Sequence, residues 1–161
     1  MLAIRPAIPE DAPIIHGFVR DLAEYEKASE QVQLTEEDYA RFMTEGGHFN
    51  AVIAESNDTP VGMAIWYKRF STWVGDYMHL EDLYVDPISR GNGIGTELLR
   101  NLAQTAVDLG FRRMEWQVLD WNKPAIATYK SMGALILPEW QLCQMDEDSL
   151  AKFTGLDQKA G

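Results

Sequence analysis

Apolar positions recur at intervals of three and four through "IIHGFVRDLAEYEK", where Ile15, Phe18, Val19, Leu22 and Tyr25 share one face. The spacing predicts an amphipathic helix, entered through the proline-flanked acidic stretch "PEDAP". A short strand, "LAIRPA", precedes it and is punctuated by Pro6 and Pro9. A second, shorter helix is expected in "LTEEDYARFM", because Thr35 followed three residues on by Asp38 has the form of a capping box. The segments "FNAVIAE" and "PVGMAIWYKRF" are strand-like and are joined by "SNDTP", which has hairpin-turn chemistry. After "STWVG", the apolar and aromatic "DYMHLEDLYVD" predicts another strand.

Helical spacing returns with Ile94, Leu98, Leu102 and Ala106, flanked by Leu99 and Ala103, and Gly110 closes the stripe. "FRRMEWQVL" predicts a fifth strand. Asn122 can cap a helix over "KPAIATYKSM", with Pro124 in its first turn and Gly133 at its end. "ALIL" and "WQLCQMD" predict two last strands, and "DEDSLAKF" a final helical turn before a polar tail expected to fray. The order β α α β β β α β α β β predicts an α/β or α+β fold with a mixed sheet covered by helices. No repeat, linker or low-complexity segment divides the 161 residues, so one domain over 1–161 is expected.

Composition supports a packed core, with 46% hydrophobic and 11% aromatic residues. The net charge of -11, from 25 acidic and 14 basic side chains, disfavours nucleic acid and anionic membranes as partners and favours cations. A lone cysteine, Cys143, excludes an intramolecular disulfide; its place in an alternating run reads as a small buried strand residue, not a nucleophile. No apolar run approaches membrane-spanning length, and a cytoplasmic protein is expected.

The segment "DPISRGNGIGTELLRNLA" carries Gly91, Gly93 and Gly95 between a strand and an apolar helix. Such a turn presents backbone N–H groups at the positive end of a helix dipole, which suits a phosphate or pyrophosphate. No lysine follows the glycines, so a Walker loop is excluded. Thr96 stands where a dinucleotide fingerprint needs glycine or alanine, and the upstream element order is wrong for that fold.

What remains is Arg90, Gly93 and Gly95 in an R-x-x-G-x-G arrangement. This resembles the acyl-CoA motif of the GNAT N-acetyltransferases. "YEKASEQVQLTEED", "HLEDLYVDPISRGNGIG" and "WNKPAIATYKSMGA" extend the resemblance to the diamine acetyltransferase branch, which includes the spermidine/spermine and thialysine acetyltransferases; the similarity runs from about Ile4 to Asp148. It implies a GNAT fold: a mixed, mostly antiparallel sheet of about seven strands flanked by about four helices.

The resemblance also implies acetyl-CoA as cosubstrate and no metal. Acetyl-CoA would be held by Arg90, Gly91, Asn92, Gly93, Ile94, Gly95 and Thr96, by the strand end Leu83, Tyr84 and Val85, and by Asn122. Tyr129 matches the tyrosine that protonates the departing thiolate. Strand alternation sends Glu81 and Asp82 to opposite faces, so only one should meet the acceptor amine. The resemblance selects Glu81, as an anionic anchor and a base acting through water. Tyr25, Glu26, Trp73, Asp82 and Glu139 with Trp140 are the further acceptor-binding candidates, and the segment from Gly133 to Trp140 is shorter than in the animal enzymes. A small cationic amine and a homodimer are the partners implied. Two alternatives stay open: a GNAT enzyme acting on a protein N-terminus or lysine, and a non-catalytic acyl-CoA-binding module.

Overall fold

Runs of consecutive buried residues, rather than strict alternation, mark the central strands of the sheet. In the computed structural model, which describes residues 1–45 and 47–155, β1 (Leu2–Pro6), β2 (Asn50–Ser56), β3 (Thr59–Ser71) and β4 (Gly75–Val85) lie side by side in that order, each antiparallel to the next. β5 (Met114–Glu115) adds to β4 in parallel, pairing Met78 with Met114 and His79 with Glu115. The sheet is mixed and mostly antiparallel, as expected, but has five strands where about seven were expected.

α1 (Ala12–Tyr25) and α2 (Glu36–Thr44) fill the connection from β1 to β2, and α3 (Ile94–Asp108) joins β4 to β5. The capping box at α2 forms: Thr35 accepts from the Asp38 amide, and the Asp38 carboxylate accepts from the Thr35 amide. Ala12, Ile15, Tyr39, Ala51, Met63, Ile65 and Tyr84 make one buried cluster, against which Phe18, Val19 and Leu22 pack. α3 buries Ile94, Leu98, Leu99, Leu102 and Ala106, so packing rather than propensity holds it. Ala103 falls outside that stripe and is exposed. At the entrance to α1, Arg5 grips Asp11 through two nitrogens at 2.7 and 2.8 Å and reaches Glu55 at 2.8 Å with its Nε.

The chain divides into two compact units, Met1–Gln117 and Val118–Gly161. The second contains α4 (Lys123–Ser131) and α5 (Glu147–Thr154). The final helical turn expected is thus an eight-residue helix, capped by the Asp146 carboxylate, which accepts from the Ser149 amide at 2.8 Å. Neither "ALIL" nor "WQLCQMD" is a strand. Their apolar content suited strands, but among the described residues their unit offers no other strand to pair with, and an unpaired strand is not stable. Cys143 is accordingly exposed rather than buried. The fraying expected of the polar tail concerns residues 156–161, outside the described residues.

Candidate active site

One extra residue in β4 reorganises its chemistry. Ile65 of β3 pairs with Asp82, yet its neighbour Trp66 pairs with Leu80, so Glu81 is inserted as a bulge. On β3, Ile65 and Tyr67 share a face; their partners Asp82 and His79 therefore share it too, although they stand three positions apart. Glu81 also turns to this side. Its Oε2 accepts a hydrogen bond from the Tyr67 hydroxyl at 2.7 Å and lies 3.4 Å from His79 Nε2. The expectation that alternation parts Glu81 from Asp82 fails, because the bulge breaks the alternation between them.

Three carboxyl groups, those of Glu26, Glu81 and Asp82, gather here. Asp82 is largely buried, and burial first, then the charges of Glu81 and Glu26, push its carboxyl up to about 7. Burial also raises Glu26, at the end of α1. Tyr39 of α2 is raised by burial and by the Asp82 charge, and Tyr67 is pushed up to about 12 by burial and its bond to Glu81. Tyr39, Tyr67 and His79 were missed as site residues; the only signal for Tyr67 and His79 was their cross-strand pairing, which needs the register.

The glycine loop follows directly. Gly62 lets β3 approach β4 at its end, since a Cβ there would meet the Tyr84 carbonyl oxygen at 2.7 Å. Beyond His79, among the described residues, no strand pairs with the edge of β4 that faces away from β3, where the Val85 carbonyl is taken by Arg90. Gly93 caps α3 in the left-handed region, at φ 78°, and among the described residues, its chain neighbours aside, no atom lies within 4 Å of where its Cβ would be. Arg90 is held in place: its Nε donates to the Val85 carbonyl at 2.9 Å, and its guanidinium lies 5.1 Å from the Tyr25 ring centre. Asn92 donates to the Ser89 carbonyl at 3.1 Å and so braces the turn. Ile94 is buried, whereas Gly95 and Thr96 stand in the first turn of α3, where amides lack helical partners.

A family model described as "Acetyltransferase (GNAT) family" matches residues 15–134. The chain belongs to the acetyltransferase (GNAT) family. It is 37% identical over 164 residues to a thialysine N-epsilon-acetyltransferase of Sus scrofa, covering 94% of this chain and 96% of that one. A thialysine N-epsilon-acetyltransferase of Caenorhabditis elegans is 38% identical over 148 residues, covering 90% and 92%. An integron cassette protein from the mobile metagenome of V. cholerae shares the fold, with a TM-score of 0.78 at 24% identity over 95% of this chain and 97% of that one.

For an acetyltransferase of this family, the loop fits an acyl-CoA pyrophosphate: bare glycines at open positions, first-turn amides of α3 and an unpaired strand edge lie in sequence order. The acceptor candidates divide. Glu26, Glu81 and Asp82 come together. Tyr25 instead stacks under Arg90. Trp73 is 81% exposed in the turn between β3 and β4, roughly 20 Å along the strand from Glu81 at about 3.3 Å per residue, so it is not brought to them. In the second unit of the acetyltransferase, Tyr129 is buried on α4, and Asn122 caps that helix, its Oδ1 accepting from the Ala125 amide at 3.4 Å. Glu139 and Trp140 are exposed in the segment between α4 and α5.

Proposed function

We propose that this acetyltransferase moves an acetyl group from acetyl-CoA to a primary amine of a small cationic acceptor: a thialysine-like amino acid, a diamine or a polyamine. The observation that carries the acceptor class is the clustering of Glu26, Glu81 and Asp82, whose mutual repulsion and burial raise Asp82 to about 7. Crowded carboxylates repel one another, and an incoming ammonium relieves that cost. The relatives named thialysine N-epsilon-acetyltransferase support the same class.

Acetyl-CoA supplies a thioester whose carbonyl the neutral amine attacks and whose thiolate departs. The residues proposed to hold it are Arg90, Gly91, Asn92, Gly93, Ile94, Gly95 and Thr96, the edge formed by Leu83, Tyr84 and Val85, and Asn122. Glu81 anchors the ammonium. Asp82, titrating near 7, is suited to take its proton at neutral pH, because a base is most effective with a pKa near the working pH. Tyr129 is proposed as the donor that protonates the thiolate, on the strength of the resemblance in "WNKPAIATYKSMGA". Tyr129→Phe is expected to lower kcat by roughly 100-fold while leaving acetyl-CoA binding nearly unchanged. The homodimer implied by resemblance belongs to the same proposal and is checked by light scattering.

The deciding experiment is turnover of acetyl-CoA with thialysine, lysine, diamines and polyamines, each product weighed by mass spectrometry. Acetylation of one or more of these at the amine is the expected result. Turnover confined to protein N-termini or protein lysines overturns the acceptor class, and no turnover with any amine overturns catalysis.

A further inference from the structure

Tyr67, His79 and Arg69 line up beside Glu81 in a defined order. Arg69, on β3, places its Nη1 3.3 Å from His79 Nδ1. A guanidinium only donates, so Nδ1 accepts and the ring proton is on Nε2. That nitrogen is the one 3.4 Å from Glu81 Oε2, the same oxygen that the Tyr67 hydroxyl reaches at 2.7 Å. His79 is 8% exposed, and its ring lies 5.1 Å from that of Tyr67. Among the described residues Oε1 of Glu81 is engaged by none of these donors.

We propose that His79 is a positioning residue for acceptor binding, held by Arg69 in the Nε2–H tautomer so that its N–H dipole, beside the Tyr67 hydrogen bond, steadies Oε2 of Glu81 electrostatically and leaves the other oxygen to the acceptor ammonium. This rests on the reading of Glu81 as the ammonium anchor. The charged and titratable groups that face His79 are Arg69 and Tyr67 from β3, Glu81 from β4 and Glu115 from β5. Burial favours the neutral ring, and Arg69 adds to that preference, while Glu81 and Glu115 oppose it. Protonating His79 would set two donors against each other at Nδ1 and place a fixed cation beside Glu81, in competition with the acceptor. Acceptor affinity therefore falls when His79 becomes charged.

The test is a double-mutant cycle with His79→Phe and Glu81→Gln, read as the KM of acceptor and of acetyl-CoA separately. His79→Phe is expected to raise the acceptor KM by about five- to tenfold and leave the acetyl-CoA KM unchanged, as for loss of one donor to a charged group. His79→Gln, which keeps a donor, should recover most of that loss. Added to Glu81→Gln, His79→Phe should do little more. If the two effects multiply, or if both KM values move together, His79 is only structural and the positioning role is overturned while Glu81 keeps its own. If Glu81→Gln alone leaves the acceptor KM untouched, the anchor reading fails and this proposal with it. Should the phenylalanine variant not fold, nitrogen-15 NMR of the histidines in the wild-type protein and in Arg69→Met decides. A wild-type His79 protonated on Nε2 that loses this preference in Arg69→Met supports the relay; an Nδ1–H tautomer in the wild type overturns it.

Discussion

Asp11 and Asp82 both withdraw from water in the first unit, and their surroundings push them in opposite directions. Asp11, 6% exposed, has Arg5 hydrogen-bonded to both its oxygens and an amide from Ile8, and its carboxyl is held below the ordinary value. Asp82 has Glu81 and Glu26 for neighbours and is raised to about 7. The first cluster is complete within the chain. The second crowds carboxyl groups together, and that repulsion is what suits it to the acceptor role proposed above.

Asp82→Asn should break the comparison most sharply. Its kcat/KM at pH 8 should fall by about 100-fold, and the limb of the pH profile near 7 should vanish while the limb set by the acceptor's own ionisation remains. Stability should move the other way. The folded carboxyl titrates above its ordinary 3.8, so ionising it opposes folding progressively from about pH 4 to 7. Asparagine removes that penalty, so the variant should gain in Tm at pH 8 and not at pH 4. A variant that keeps the limb near 7 would show that another group is the base.

Arg5→Met tests the other cluster. It strands a buried carboxylate, and because a third of the Arg5 side chain is exposed the expected loss is about 2 kcal/mol, below the usual figure for a fully buried pair. The loss should be full above the ordinary aspartate range and shrink as pH falls through the depressed pKa of Asp11, when the partner charge disappears. Urea unfolding at pH 7 and pH 3 checks this, and acceptor KM should not change.

Smaller effects sharpen the division of labour. Glu81→Gln should raise acceptor KM about tenfold and spare acetyl-CoA KM, as expected when a neutral acceptor replaces a charged one. Gly95→Ala should do the converse, raising acetyl-CoA KM by about threefold, since its Cβ would meet only Val85 Cγ2 at an ordinary 3.7 Å and the fold should stand. An alanine variant that instead weakens acceptor binding would unseat the loop from its role.

Local patterns determined much of this protein. Helix periodicity located α1 and α3, capping signals located α2 and α4, the caps at Thr35 and Asn122 form as read, and the glycine segment lies between β4 and α3. These features depend on neighbours a few residues apart, which the chain carries in its own order. Strand pairing was less legible, because a strand exists only with an edge to bind, and "ALIL" and "WQLCQMD" have the composition without the partner. The decisive feature of the site lay beyond pattern altogether. No property of "MHLEDLYV" says that Glu81 is the unpaired residue; that follows from the register against Ile65 and Trp66. Tertiary pairing alone turned Glu81 toward Tyr67 and His79, kept Asp82 on the same face near Glu26 and raised its pKa, because burial and proximity of charge are properties of the folded neighbourhood.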